Sequence, residues 1–239
     1  MIRNPRLRRR SHSQPHIGDA AADFRYLLGR GYPRAAALAL VGNRYGLNRT
    51  ARQLLHRGVF APGEAAARRA KLKRLGEVPG QPLGLDGHNV LITLQCARLG
   101  KPLVAGDDGF VRDVGQVSRA FRISPETEAI LKVLGRYLAE KGAGPVSVFF
   151  DAPLSRSGEL ARRARELWVG QGLEVTEAAA LPVPEARLAT FPGPIATSDT
   201  ALIDAHDPVV DLAGEIIRQH HWPVITLQEQ AATPGPSDL

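Results

Sequence analysis

The sequence is poor in the residues that cross-link a chain, hold soft metals or span a lipid layer. A single cysteine, Cys96, in 239 residues excludes an internal disulfide and any cysteine cage for zinc or an iron–sulfur centre, and it points to a reducing compartment. No apolar run is long enough to cross a bilayer, because charge, Gly or Pro interrupts each one within a few positions. The opening MIRNPRLRRRSHSQPH is basic, but it leads into GDAAADFRYLL instead of a continuous apolar stretch with a small-residue cleavage site, so it does not read as a secretory signal. The expectation is a soluble, cytoplasmic protein. Three nucleotide-binding and nucleophile motifs are also missing: G-x-x-x-x-G-K-[ST], G-x-G-x-x-G after a strand, and G-x-S-x-G.

Charge is present in quantity and unevenly spread. The chain carries 31 Lys+Arg against 24 Asp+Glu, a net +7. From Met1 to Leu75 there are 17 Lys+Arg against 3 Asp+Glu, whereas the remainder holds 14 against 21. A part carrying +14 beside a part carrying −7 reads as a polyanion-binding region attached to a domain whose carboxylates have another task. Solvated arginines that merely aid solubility would explain the run Arg6 to Arg10. They explain less well an excess spread over three helical segments, for which nucleic acid is the expected partner.

Periodicity divides the chain in the same place. Residues 1–16 mix Arg, Ser, Pro and His without apolar spacing and are expected to form a disordered basic arm. Residues 17–81 read as a basic helical region and linker: helices from Asp19, after Tyr32 and after Asn48, the last with Asn48 as N-cap, then a further basic helix and EVPGQ. Helix, Gly-containing turn and helix are compatible with a helix-turn-helix or with a bundle that only packs on the second part. Residues 82–229 alternate strands with helices, which predicts an α/β domain with a three-layer, mostly parallel sheet. Its strands are PLGLDG ending at Asp86, PLVAG, PVSVFFDAP, Leu173 to Ala180, Ile195 to Ser198 and PVITL. Its helices begin with Asn89 and Ser157 as candidate caps, Ser124-Pro125-Glu126 as a cap, first-turn Pro and dipole-matched acid, and Asp207-Pro208. Residues 230–239 read as a disordered tail.

Three of these strands end in Asp and a turn: LDG at Asp86, FFDAP at Asp151 and ATSD at Asp199. In open α/β sheets the crevice lies at the C-terminal ends of parallel strands, so these side chains are expected to converge. Gathered carboxylates repel unless a proton or cation joins them, and an all-oxygen set suits Mg²⁺ or Mn²⁺. Such an ion orients water, lowers its pKa and offsets charge developing on a phosphate. Taken one at a time, each Asp is more simply a turn residue or helix cap. Asn89 and Ser198 are candidates to touch substrate or a water in the same site, and Asp108, with Asp107 and Asp113, is a further acidic candidate in a Gly-rich excursion. Cys96 reads as a buried core thiol. His88 sits in the Asp86 turn, where one His near a carboxylate says little by itself.

LDGHNVLITL, VFFDAPLSRSGELA and PIATSDTALID together resemble the PIN-like nuclease superfamily, especially its NYN branch, over roughly Leu83 to Leu227. The whole chain also resembles the family known as domain of unknown function 434, in which GYPRAAALALVGNRYGLNRTARQLLHRGVF precedes such a domain. The PIN-like resemblance implies a divalent-metal endoribonuclease with Asp86, Asp151 and Asp199 as acids; a fourth acid that many such enzymes place on an intervening helix has no counterpart here. The expectation is therefore a metal-dependent ribonuclease whose phosphate-backbone contacts are Arg44, Arg49, Arg52 and Arg57. Two alternatives stand beside it: a nucleic-acid-binding protein that keeps the fold without turnover, and a metal-dependent phosphatase.

Overall fold

The computed structural model describes residues 17–115, 124–154 and 156–227; the expected basic arm and tail lie outside the described residues. Four helices come first: α1 (Ile17–Gly29), α2 (Arg34–Arg44), α3 (Arg49–Gly58) and α4 (Pro62–Lys71). Asn48 caps α3, its side-chain oxygen accepting the Ala51 amide at 2.9 Å, which satisfies one of the amides that a helix start leaves without an internal partner. The α/β part follows as β1 (Leu72–Lys73), a 3₁₀ turn (Leu75–Glu77), β2 (Leu83–Asp86), α5 (Gly87–Arg98), β3 (Leu103–Ala105), β4 (Val111–Asp113) and α6 (Pro125–Glu140). It continues as β5 (Val146–Asp151), α7 (Ser157–Gly170), β6 (Val175–Leu181), α8 (Pro184–Ala189), β7 (Ile195–Ala196), α9 (Thr200–Ala205), β8 (Val209–Val210), α10 (Leu212–Gln219) and β9 (Ile225–Thr226).

The main sheet has the order β1-β8-β7-β2-β5-β6, and every pairing in it is parallel. Side chains alternate across a strand, so neighbouring residues feed two separate cores. Val146, Val148 and Phe150 of β5, Ala196 of β7 and Val210 of β8 face α5, α6, α7 and α10, whereas Phe149, Ile195 and Val209 face α8 and α9. Both faces are covered, and this explains why β5 reads as a continuous apolar run. Three layers and a parallel sheet are as expected.

The structure also departs from expectation in places. PLVAG and PVITL do not join the main sheet: β3 pairs antiparallel with β4 and parallel with β9 in a second, three-stranded sheet. Leu72 and Lys73, in the segment read as basic helix and linker, form β1 on the edge of the main sheet. Asp207-Pro208 leads into strand β8, and the following helix starts only after Asp211, whose carboxylate accepts the Gly214 amide. Helices α8 and α9 are each six residues long, too short for the periodicity of a helix to show.

The helical region is not a separate body. Phe24, Val41, Leu54 and Leu55 share one apolar cluster with Val104 of β3, Val114 and Leu227. Gly58 closes α3 where a Cβ would strike Val104 and Leu227, so its lack of a side chain lets the helix end lie directly on the second sheet. Among the described residues, no helix is long and apolar enough to cross a membrane.

Candidate functional site

Strands β7, β2 and β5 are neighbours, and the residues at or just beyond their C-terminal ends, Asp199, Asp86 and Asp151, line one cavity of about 530 Å³. The convergence follows from parallel pairing in register, Leu85 beside Ala196 and Asp86 beside Phe149. Gly87 then turns the chain into α5 so close to β5 that a Cβ would collide with the Phe150 ring and the Phe149 carbonyl. That contact fixes Asp86 and His88 at the sheet edge.

Asp86 and Asp199 are held by neutral donors. Asp86, 8% exposed, caps α5, accepting the Asn89 amide at 3.4 Å and the Thr197 hydroxyl at 2.8 Å. Asp199 caps α9 through the amides of Ala201 and Leu202 at 2.9 and 3.1 Å, and its own amide donates to the Thr197 hydroxyl at 3.1 Å. Thr197 therefore links the two acids, a role that its place two residues before Asp199 in T-S-D could have signalled. Asp151 lies beside the buried His88: Nδ1 is 2.9 Å from both the Asp151 amide nitrogen and its Oδ2. That nitrogen can accept the amide proton or donate to the carboxylate, so the tautomer decides which contact is the hydrogen bond. Among the described residues none of the three acids pairs with Lys or Arg. Burial pushes the Asp86 carboxyl up to about 7, with Asp151 and Asp199 adding to the shift and the bonds from Thr197 and Asn89 opposing it.

Other expected site residues fall elsewhere. Asp108 is fully buried and takes a two-pronged pair from Arg112 at 2.8 and 2.7 Å. It is not among the residues that line the cavity, so the structure does not bring this further acidic candidate together with the other three, and both of its oxygens face the Arg112 guanidinium. Asp107 is likewise held by Arg25 at 2.8 Å, through both prongs. Asp113, paired with Arg57 at 3.1 Å, does border the cavity. Asn89 is not the cap of α5, since Asp86 is; its side-chain oxygen accepts from the amide and hydroxyl of Ser198 at 2.8 and 3.0 Å. Ser198 is thereby turned to Asn89, while its carbonyl accepts Arg112 Nε at 2.8 Å. Both residues brace the loop after β7. Ser157 is not the cap of α7 either: its hydroxyl lies 2.6 Å from the carbonyls of Asp151 and Leu154, and its one proton serves one at a time.

The four arginines expected to hold a phosphate backbone separate in the same way. Arg52 is turned to α2 and the preceding turn, bonding the Leu47 carbonyl and Asn43 Oδ1 at 3.0 Å. Arg44 pairs with Asp23 at 3.5 Å and lies over the Tyr45 ring. Arg49 is exposed at the start of α3, and Arg57 borders the cavity with Gln53 and His56. The helical spacing 53, 56, 57 puts these three on one face, a signal the sequence held. Glu185 of α8 also borders the cavity.

Among the described residues, no three His, Cys, Asp or Glu side chains stand together as a preformed metal cage. The donor chemistry nevertheless suits a hard cation, since Mg²⁺ commonly takes one or two carboxylates and completes its shell with water and substrate phosphate. An acid at about 7, beside two others and without Arg or Lys, is a place where a cation relieves charge.

Along 150 residues the chain is 33% identical to the uncharacterized protein MJ0935 of Methanocaldococcus jannaschii, an alignment that covers 63% of this chain and 72% of that protein. No solved structure matches the chain. The model of a protein of unknown function, DUF434, matches residues 16–71, which is the helical region and not the whole chain. With the site-bearing residues 75–215 matched by the model described as a domain of unknown function, DUF5616, the chain belongs to that family.

Proposed function

We propose that this protein is a divalent-cation-dependent phosphodiesterase acting on RNA, as the resemblance of its strand-end motifs to PIN-like nucleases implies. The reading rests on one observation: Asp86, Asp151 and Asp199 share a cavity at the C-terminal edge of a parallel sheet with no Lys or Arg paired to them among the described residues, while other acids nearby are paired. Asp86 and Asp151 would hold Mg²⁺ or Mn²⁺, with Asp199 beside them. When bound, such an ion orients water, lowers its pKa and offsets phosphate charge. Thr197 fixes the Asp86 rotamer and joins it to Asp199. His88 orients Asp151, and Asn89 with Ser198 keeps the Asp199 loop against α5. The cytoplasm, with its millimolar Mg²⁺, is the compartment this chemistry suits.

A panel of single- and double-stranded RNA incubated with Mn²⁺ or Mg²⁺ tests the reading. Cleavage that is abolished by chelation and by Asp151→Asn is expected; no cleavage of any RNA, with Asp151→Asn indistinguishable from the parent, would sink it. The lack of a preformed cage among the described residues favours a second reading, a nucleic-acid-binding protein without turnover. That protein would bind RNA equally well with and without chelator and after Asp86→Asn.

A further inference from the structure

The cavity has two walls of opposite character. The acidic one comes from β2, β5 and the loop after β7. The other is the face of α3 that carries Gln53, His56 and Arg57, contributed by the helical region. The opposite face of α3 is buried through Ala51, Leu54 and Leu55, and Gly58 seats the helix end on Val104 and Leu227. The triplet, with His56 exposed and Gln53 and Arg57 half-buried, is therefore held in place by the packing beneath it.

Arg57 is only partly committed. Its Nε donates to the Asp113 carbonyl and one Nη2 proton to Asp113 Oδ2, both at 3.1 Å. These bonds occupy one edge of the guanidinium, while Nη1 has no acceptor among the described residues and the side chain keeps 38% exposure. A guanidinium steered by a carboxylate on one edge and open on the other is preorganised for a tetrahedral anion. Gln53 makes no hydrogen bond within the described residues and adds a neutral amide donor. His56 lies beside them on the cavity face of α3, its imidazole pushed below its ordinary value chiefly by desolvation and then by Arg34 and Arg57. A cavity of about 530 Å³ falls within the usual range of small-molecule sites, roughly 300–1,000 Å³, and so admits one nucleotide unit.

We infer that α3 is the phosphate-holding wall of this cavity, with Arg57 and Gln53 gripping the phosphate of a nucleotide unit whose reacting side faces Asp86 and Asp151. The inference rests on the proposed phosphodiesterase reading for its substrate, but the phosphate grip itself needs no cation. The helical region is then part of the site and not a tether beside it.

Calorimetric titration of the full chain in EDTA with adenosine 5′-monophosphate, the dinucleotide ApA and adenosine tests this. The two phosphate-bearing probes should bind and adenosine should not. Arg57→Gln should weaken binding about tenfold or more, the loss expected for one charge-assisted hydrogen bond. Because that change also removes the partner of Asp113, Gln53→Ala is measured beside it; the Arg57–Asp113 pair stays intact and a loss of about threefold is expected. Asp86→Asn/Asp151→Asn should leave binding equal or tighter, since it removes negative charge opposite the phosphate. Affinity unchanged by Arg57→Gln and Gln53→Ala, no binding by the parent protein, or loss of binding in the double Asn variant would each overturn the inference. Binding in EDTA without any metal-dependent cleavage would leave the phosphate wall standing while the nuclease reading fell.

Discussion

Asp108 and Asp86 are both buried aspartates of the α/β part, and they have opposite surroundings. Asp108 lies under Arg112, with Arg68 at 3.7 Å, beside a Phe60 ring faced by the guanidinium groups of Arg34, Arg68 and Arg112. Asp86 meets a hydroxyl, an amide and two more carboxylates. The difference teaches where the charge asymmetry of the chain goes. Arg25, Arg57 and Arg68 of the helical region pair with Asp107, Asp113 and Asp204 of the α/β part. Three pairs of opposite charge thus dock one half on the other, and the strand-end acids Asp86, Asp151 and Asp199 take no part in them. Arginines matched to acids across the two parts serve cohesion; the unmatched strand-end acids are available to a cation.

Breaking the matched set should have the largest effect. Asp108→Ala leaves Arg112 buried without its carboxylate and should cost about 3–5 kcal/mol of unfolding free energy, measured by urea denaturation. The unmatched set should respond with the opposite sign. Asp86 has its carboxyl raised from 3.8 to about 7 by folding, so the folded state holds the proton more tightly than the unfolded one. Stability should therefore be highest below about pH 4 with respect to this group and fall as pH rises through the window to about 7. Asp86→Asn should remove that component and stabilise the protein at pH 8 by on the order of 2–4 kcal/mol, read as the difference between parent and variant stability curves against pH. A smaller effect should come from the cation itself. Mg²⁺ at ten times its Kd should stabilise the parent by about 1.4 kcal/mol at pH 8, seen as a rise in Tm, and should not stabilise Asp86→Asn/Asp151→Asn. The smallest should be Arg44→Gln, whose exposed pair with Asp23 should change stability by less than about 0.5 kcal/mol, checked by the same melt.

The legible parts of this structure were local. Ser124 accepts the Thr127 amide and starts α6 with Pro125 in its first turn, as a cap and a first-turn proline dictate, and the apolar run at β5 announced a central strand. The three strand-end acids were legible too, because a strand followed by Asp and a turn is a short-range pattern. What stayed hidden depended on distant partners. Asp107 and Asp108 read as further acidic candidates in a Gly-rich excursion, yet Arg25, 82 residues away, holds one and Arg112 pairs with the other. Asn89 reads as a cap from its neighbours, but its side chain answers to Ser198, 109 residues on. Nothing local marks β3 and β9 as members of a second sheet, since their pairing is set by which layer they reach.

The parallel pairing of β3 with β9 also brings a late segment of the chain back to the helical region. Leu227 completes the apolar floor beneath α1 and α3, and its carbonyl accepts Arg25 across 202 residues. Helices α1 and α3 are therefore synthesised before residues that help to seal their apolar side. During synthesis that exposed side is where a holdase chaperone, or a stray second chain, would find its footing.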